Sequence, residues 1–373
     1  MKNKYIRLLC LVMTAVLLIF SGIVVTSAAG STTPPTSVGQ VYLGGMPFGV
    51  KFNTEGVMVV GFCDVNRAEG SKEHAVNPAK DAGIRLKDVI THVNGTPLTG
   101  AEDLTKAVEN CGGKPLALTV RRLTAKSNAT KSIKNDRNGF KNVGSEVLVI
   151  NVTPIKCGND GRYKTGLWIR DSGAGIGTVT FVMPATNAFA GLGHGICDGD
   201  TGELIPMQRG QVTDVTISGI DRGEPGDPGA IKGYFAPGKT GTLLGNTECG
   251  VYGIYASRPA TAAKKVSIAP RQEVHDGDAT ILCTLDDGNL GAYTATVSQI
   301  DTTARGSKCF TVKVTDPKLI EKTGGIVQGM SGSPILQDGR LIGAVTHVLI
   351  NDPTTGYGIF IDNMLRDMPE LLK

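Results

Sequence analysis

The chain has 373 residues, enough for two domains of ordinary size. Its 38 basic and 34 acidic residues leave a net charge of +4, which excludes a partner recognised chiefly by charge, and 40% hydrophobic residues exclude a disordered chain. Glycine, at 50 residues, is nearly twice the usual share of roughly 7% and points to many tight turns between short strands. At the N-terminus, Lys2, Lys4 and Arg7 precede an uncharged run from Leu8 to Val25, followed by the small residues Thr26 to Ser31. That pattern is expected to direct export across a membrane, with residues 1–30 acting as a signal or as an anchor. Eight cysteines without a CxxC pair give no zinc site, and an odd number outside the apolar run argues for mostly unbridged thiols.

Residues 41–122 read as one compact unit. Val57-Met58-Val59-Val60 is a short apolar strand closed by Gly61, and Val89 to Val93 alternates before the Asn94-Gly95 turn. Thr99 and Glu102 have the spacing of a capping box, which predicts a helix from about Gly100 to Asn110 with Leu104 and Val108 on its inner face. Leu116, Leu118 and Val120 alternate as a final strand. This succession resembles a PDZ domain, most clearly from Ala82 to Gly95. The resemblance implies a peptide-carboxylate loop at Gly44 to Val50, with Phe48, Gly49 and Val50 as peptide-binding residues, and a peptide terminus as ligand.

From Arg121 to Asn142 the composition shifts to seven basic residues against the single Asp136, so residues 123–144 read as a solvated basic linker. Residues 145–373 read as all-β, with short strands separated by Gly, Asp, Asn and Pro clusters and a short helix from Asn363 to Leu372. The sharpest local motif is Gly329-Met330-Ser331-Gly332-Ser333-Pro334. Glycines on both sides allow a tight turn that exposes the Ser331 hydroxyl and brings the Gly329 and Ser331 amides into one oxyanion-binding hollow. Ser333 is the weaker candidate, because Pro334 biases it toward extended geometry. A serine nucleophile needs a base. Of five histidines, His194 sits on a Gly-flanked loop between strands and is preferred; His347, within a strand just after the serine, is the fallback. From the residues alone Asp316, Asp198, Asp200 and Asp352 are all candidates for the orienting carboxylate.

Three segments, Leu192 to Asp198, Gly324 to Ile335 and Gly343 to Val348, together resemble the stage IV sporulation protein B family of serine peptidases. The resemblance spans the chain and implies a mainly β fold: an N-terminal membrane segment, an α+β PDZ domain, then a trypsin-like double β-barrel peptidase domain. It makes His194 the general base, Asp316 the carboxylate partner and Ser331 the nucleophile, in the order of the chymotrypsin class, with no cofactor. It further implies export from the forespore into the space between its two membranes. There the protein would cleave itself and a membrane-bound regulator, so activating the late mother-cell sigma factor. A non-catalytic PDZ scaffold on an inactive protease fold and a general envelope quality-control protease are the competing readings.

Overall fold

The computed structural model describes residues 39–67, 75–123, 145–285 and 288–373. The expected export segment (1–30) and most of the basic linker lie outside the described residues. No helix among the described residues is long and apolar enough to cross a membrane.

Two strands of 16 residues each, Pro47–Phe62 and Leu167–Val182, organise the first half of the molecule. They pair antiparallel over nearly their whole length, from Leu167 opposite Phe62 to Thr178 opposite Pro47. From Leu167–Val182 the ladder continues through Ala188–Gly191, Gly250–Tyr255, Gly241–Thr247 and Met207–Thr213, and back to Pro47–Phe62, which closes a six-stranded barrel. Along its first half the Pro47–Phe62 strand alternates, with Phe48, Val50 and Phe52 inward and Lys51 and Asn53 outward, as a strand with one buried face must. Phe48 meets Phe189 edge to face in the barrel core, with ring centroids 5.5 Å apart.

This overturns the expected peptide loop. Phe48 and Val50 are sealed in the first barrel, and a side chain at Gly49 would strike the Phe235 ring. None of the three can meet a peptide, and residues 47–54 belong to the barrel.

The PDZ-like unit is instead inserted between the two long strands. Gly56, with a φ of 75°, marks the exit from the barrel, where even a Cβ would fall 2.3 Å from the Ile90 carbonyl oxygen. The unit's sheet runs from Leu167–Arg170 through the end of Pro47–Phe62, then Val89–Val93, Leu116–Leu123 and Ser145–Val152. Its core is Val57, Val59, Ile84, Ile90, Leu118 and Val120 under the helix Ala101–Glu109, whose Leu104 and Val108 face inward as expected. The helix start differs from the expected capping box: Gly100 is the cap residue, and Thr99 donates from its amide and hydroxyl to Asp103 rather than pairing with Glu102. The strand Ser145–Val152, expected to open the second domain, completes this sheet.

Gly277–Thr284, Leu290–Ser298, Phe310–Val314, Asp352–Phe360, Arg340–Leu349 and Pro334–Gln337 form a second closed barrel. Ile281, Val297, Val312, Ile335, Val345 and Phe360 fill its interior. A hairpin of Val215–Asp221 and Ala230–Phe235 leaves the first barrel and reaches the second at Gln328, where the Ile231 amide donates to the Gln328 carbonyl at 2.8 Å.

Candidate active site

The Gly329–Ser333 loop leads into Pro334–Gln337 of the second barrel, but the first barrel holds it in place. The Thr178 amide donates to the Ser331 carbonyl at 2.9 Å, and its hydroxyl to the Gly329 carbonyl at 2.8 Å. The Thr180 hydroxyl donates to the Gly332 carbonyl at 2.8 Å. With three carbonyls turned toward Leu167–Val182, the Gly329 and Ser331 amides donate to no group among the described residues. Two unengaged amides flanking a serine are what a developing oxyanion requires. Gly329 and Gly332 have φ values of 98° and 93°, so the turn depends on the glycines that the motif displays.

Ser331 is half-buried and its hydroxyl donates to the Thr346 carbonyl at 2.7 Å. Thr346 is able to offer that carbonyl because the ladder between Arg340–Leu349 and Asp352–Phe360 shifts register between Val345 and His347. Ser333 is wholly buried, which removes it as the nucleophile.

His194 sits on the loop after Ala188–Gly191. Leu192 and Gly193 both take left-handed conformations, with φ of 64° and 69°, which turn the loop toward the serine. Asn246 fastens the loop: its side chain accepts from the Ile196 amide at 2.8 Å and donates to the Ile196 and Ile205 carbonyls at 2.9 and 3.0 Å. The two loops touch, since a Cβ on Gly332 would fall 2.5 Å from the Leu192 nitrogen, and one on Gly193 would fall 2.8 Å from the Thr346 methyl.

The His194 Nδ1 lies 2.8 Å from the Gly195 carbonyl oxygen. A carbonyl can only accept, so Nδ1 carries the proton and Nε2 is left as the basic nitrogen. Burial lowers the His194 pKa, against the raising effect of the Gly195 carbonyl, and the ring is neutral at pH 7. The His347 ring lies 4.9 Å from it, centroid to centroid. Burial, then the proximity of His194 and Lys308, bring the His347 pKa down to about 4, and its Nδ1 is buried without a hydrogen bond.

The orienting carboxylate expected at Asp316 is not where the resemblance put it. Asp316 caps the helix Pro317–Thr323: its Oδ1 accepts from the Lys318 and Leu319 amides at 2.9 and 3.1 Å, and its Oδ2 from the Thr294 amide at 3.2 Å. Asp198 accepts from Asp200 and Thr201 and faces Arg170 at 2.5 Å, while Asp352 is taken up by Thr354 and Thr355. No carboxylate is hydrogen-bonded to His194 among the described residues; the Gly195 carbonyl fixes its tautomer instead. Asp316→Ala is therefore expected to cost about 1 kcal/mol of stability, the worth of a helix cap. It is also expected to lower kcat by less than about ten-fold. Denaturation midpoints and initial rates check both, and a loss as large as that of His194→Ala would restore Asp316 to the catalytic group.

The family model described as SpoIVB peptidase S55 matches residues 161–365, and a PDZ domain model matches residues 76–122. No curated protein matches the chain. Among solved structures it is similar to the Rv3671c protease of M. tuberculosis in its active form, at 13% identity over 52% of this chain and 73% of that one, with a TM-score of 0.29. The inactive form of the same protease matches at 15% identity over 52% of this chain and 82% of that one, with a TM-score of 0.28.

Proposed function

Because the chain belongs to the SpoIVB peptidase S55 family and is a serine peptidase, we propose that Ser331 is its nucleophile and His194 its general base. The observation that carries this reading is the pair of unengaged amides around Ser331, on a loop that meets the His194 loop at Leu192, where the imidazole is neutral with Nε2 unprotonated. In the reaction the Ser331 hydroxyl turns from the Thr346 carbonyl to His194 Nε2. The oxygen attacks a peptide carbonyl while Nε2 takes the proton, and the Gly329 and Ser331 amides bind the resulting oxyanion. The imidazolium then gives its proton to the leaving amine, and a water activated by the same nitrogen hydrolyses the acyl-enzyme.

The proposed setting follows the family resemblance. The protein is exported across the forespore membrane, cleaves itself, and cleaves a membrane-bound regulator whose processing activates the late mother-cell sigma factor. The two-barrel peptidase needs no cofactor for this chemistry.

The test compares residues 30–373 as wild type and as Ser331→Ala, followed by gel and intact mass over hours. The expected result is discrete fragments from the wild type and none from the variant, with the fragment ends reporting specificity. Identical fragments from both would remove Ser331 as the nucleophile. If both stay intact, alone and with a candidate membrane-bound regulator, the non-catalytic scaffold becomes the better reading.

A further inference from the structure

The two amides that flank Ser331 owe their directions to different parts of the chain. A peptide unit is planar and trans, so each N–H points opposite to the carbonyl of the residue before it. The Ser331 N–H shares its unit with the Met330 carbonyl, which accepts from the Ser333 amide at 2.9 Å. That direction is fixed inside the serine loop itself. The Gly329 N–H shares its unit with the Gln328 carbonyl, and the group that holds this carbonyl is the Ile231 amide, at 2.8 Å.

Ile231 lies on the hairpin of Val215–Asp221 and Ala230–Phe235, which comes from the first barrel. This hairpin grips Gln328 by both backbone groups. The Gln328 amide donates to the Gly229 carbonyl at 3.2 Å while its carbonyl accepts from Ile231, a parallel bridge centred on Ala230. The Ile231 amide therefore points away from Ile220, its partner in the hairpin. The side chain backs the same peptide unit, since a Cβ on Gly329 would fall 3.0 Å from the Ile231 Cβ. The hairpin tip is in turn tied to the second barrel. The Gly223 amide donates to the Thr323 carbonyl and the Gly226 amide to the Ile350 carbonyl, both at 2.8 Å, and the Arg222 guanidinium reaches the Glu321 carbonyl.

A brace at this point answers a physical need. Gly329 has a φ of 98° here, but glycine takes either sign of φ with little cost. Turning the unit between Gln328 and Gly329 over changes only ψ of the first and φ of the second. The N–H would then leave the hollow and the Gln328 carbonyl would enter it, where its negative end repels an oxyanion. The glycine that permits the tight turn thus also permits the wrong orientation, and nothing within the serine loop forbids it.

We propose that Ile231 is a positioning residue for the peptidase reaction, given Gly329 and Ser331 as the oxyanion donors. Its backbone N–H holds the Gln328 carbonyl outward and so keeps the Gly329 N–H turned into the hollow. One of the two donors is then set by the serine loop alone, and the other by a hairpin of the first barrel. Breaking the bond between Ile231 and Gln328 frees the unit to turn over and removes one donor, while Ser331 and its hydroxyl stay where Thr178 and Thr180 hold them.

The test is Ile231→Pro in the full chain, which removes the N–H at a strand position whose amide the hairpin does not use. On a peptide that the wild-type chain cleaves, kcat is expected to fall by about 10²-fold, the effect of losing one oxyanion donor, with KM within about three-fold. Ile231→Val keeps the N–H and should restore most of that loss. Replacing residues 216–234 by an Asn-Gly turn, closed at the Val215 and Phe235 pair, removes the brace by a second route. It should give the same fall in kcat, and it decides the matter if Ile231→Pro does not fold. A crystal structure of either brace-free variant reads the peptide unit directly, whether or not the chain cleaves, and the Gln328 carbonyl is expected inside the hollow. A carbonyl still turned outward would overturn the proposal whatever the rate. So would equal losses in Ile231→Pro and Ile231→Val, or a loss confined to KM. An inward carbonyl with unchanged kcat would uphold the brace and remove Gly329 from the oxyanion donors instead.

Discussion

Replacing His194 with alanine is expected to lower kcat by about 10⁴-fold on a peptide that the wild-type chain cleaves, with KM and the unfolding midpoint little changed. Ser331→Ala should cost at least as much, and the double variant should be no slower than Ser331→Ala alone, because a base without its nucleophile has nothing to activate. Additive losses in the double variant would show that the two residues do not act as one unit. The Gly195 carbonyl makes the assignment specific. It fixes the tautomer as a carboxylate would, but without a formal charge to stabilise the imidazolium. His347→Phe should leave most of the activity, because His347 neighbours the proposed base, His194, and makes no hydrogen bond to it.

The pH profile follows from the same environment. With His194 as the proposed base, only its neutral form can take the serine proton, and burial places its pKa below the ordinary value of 6.5. Activity should rise with pH through a midpoint below 6.5 and be flat through neutrality. A midpoint at or above 6.5 would mean that a nearby carboxylate raises the imidazole after all. Stability should move in the same direction. Both imidazoles bind a proton less readily when folded than when unfolded, so the unfolded chain gains protons first as pH falls below about 6.5. The stability lost in that way by His347 is complete only below its folded value of about 4.

Local chemistry was readable from the sequence, and long-range pairing was not. Gly329, Ser331 and Gly332 announce a tight turn with an exposed hydroxyl because glycine alone takes those φ values freely. The His194 loop is legible for the same reason. Asp316 had a local signal that pointed the other way: an Asp followed by Pro317 is a helix cap with proline at the first helical position. Phe48, Val50 and Phe52 also show their period-two alternation in the sequence, yet alternation does not say which sheet a strand joins. That choice is made by Leu167–Val182, more than a hundred residues further on in the chain. The insertion of the PDZ-like unit was invisible for that reason, and so were Asn246 and Thr178, whose bonds reach across 50 and 151 residues.

Gly332→Ala is expected to destabilise the protein by more than about 2 kcal/mol and to lower kcat beyond what partial unfolding explains. Two causes add. At a φ of 93° any side chain is strained, and the new Cβ would fall 2.0 Å from the Thr178 carbonyl oxygen. The loop cannot move away cheaply, because the Gly332 amide donates to the Val345 carbonyl and its own carbonyl accepts from Thr180, both at 2.8 Å. Gly339→Ala separates the causes. Gly339 has a φ of 74° and open space around it, so only the backbone strain, about 1 kcal/mol, should appear, with kcat unchanged. Denaturant unfolding and initial rates on the pair give the contact contribution by difference. If the two variants behave alike, the seam at Gly332 is loose enough to absorb a methyl group. If they differ as expected, the nucleophile belongs to one barrel by sequence and is aimed by the other through Thr178 and Thr180.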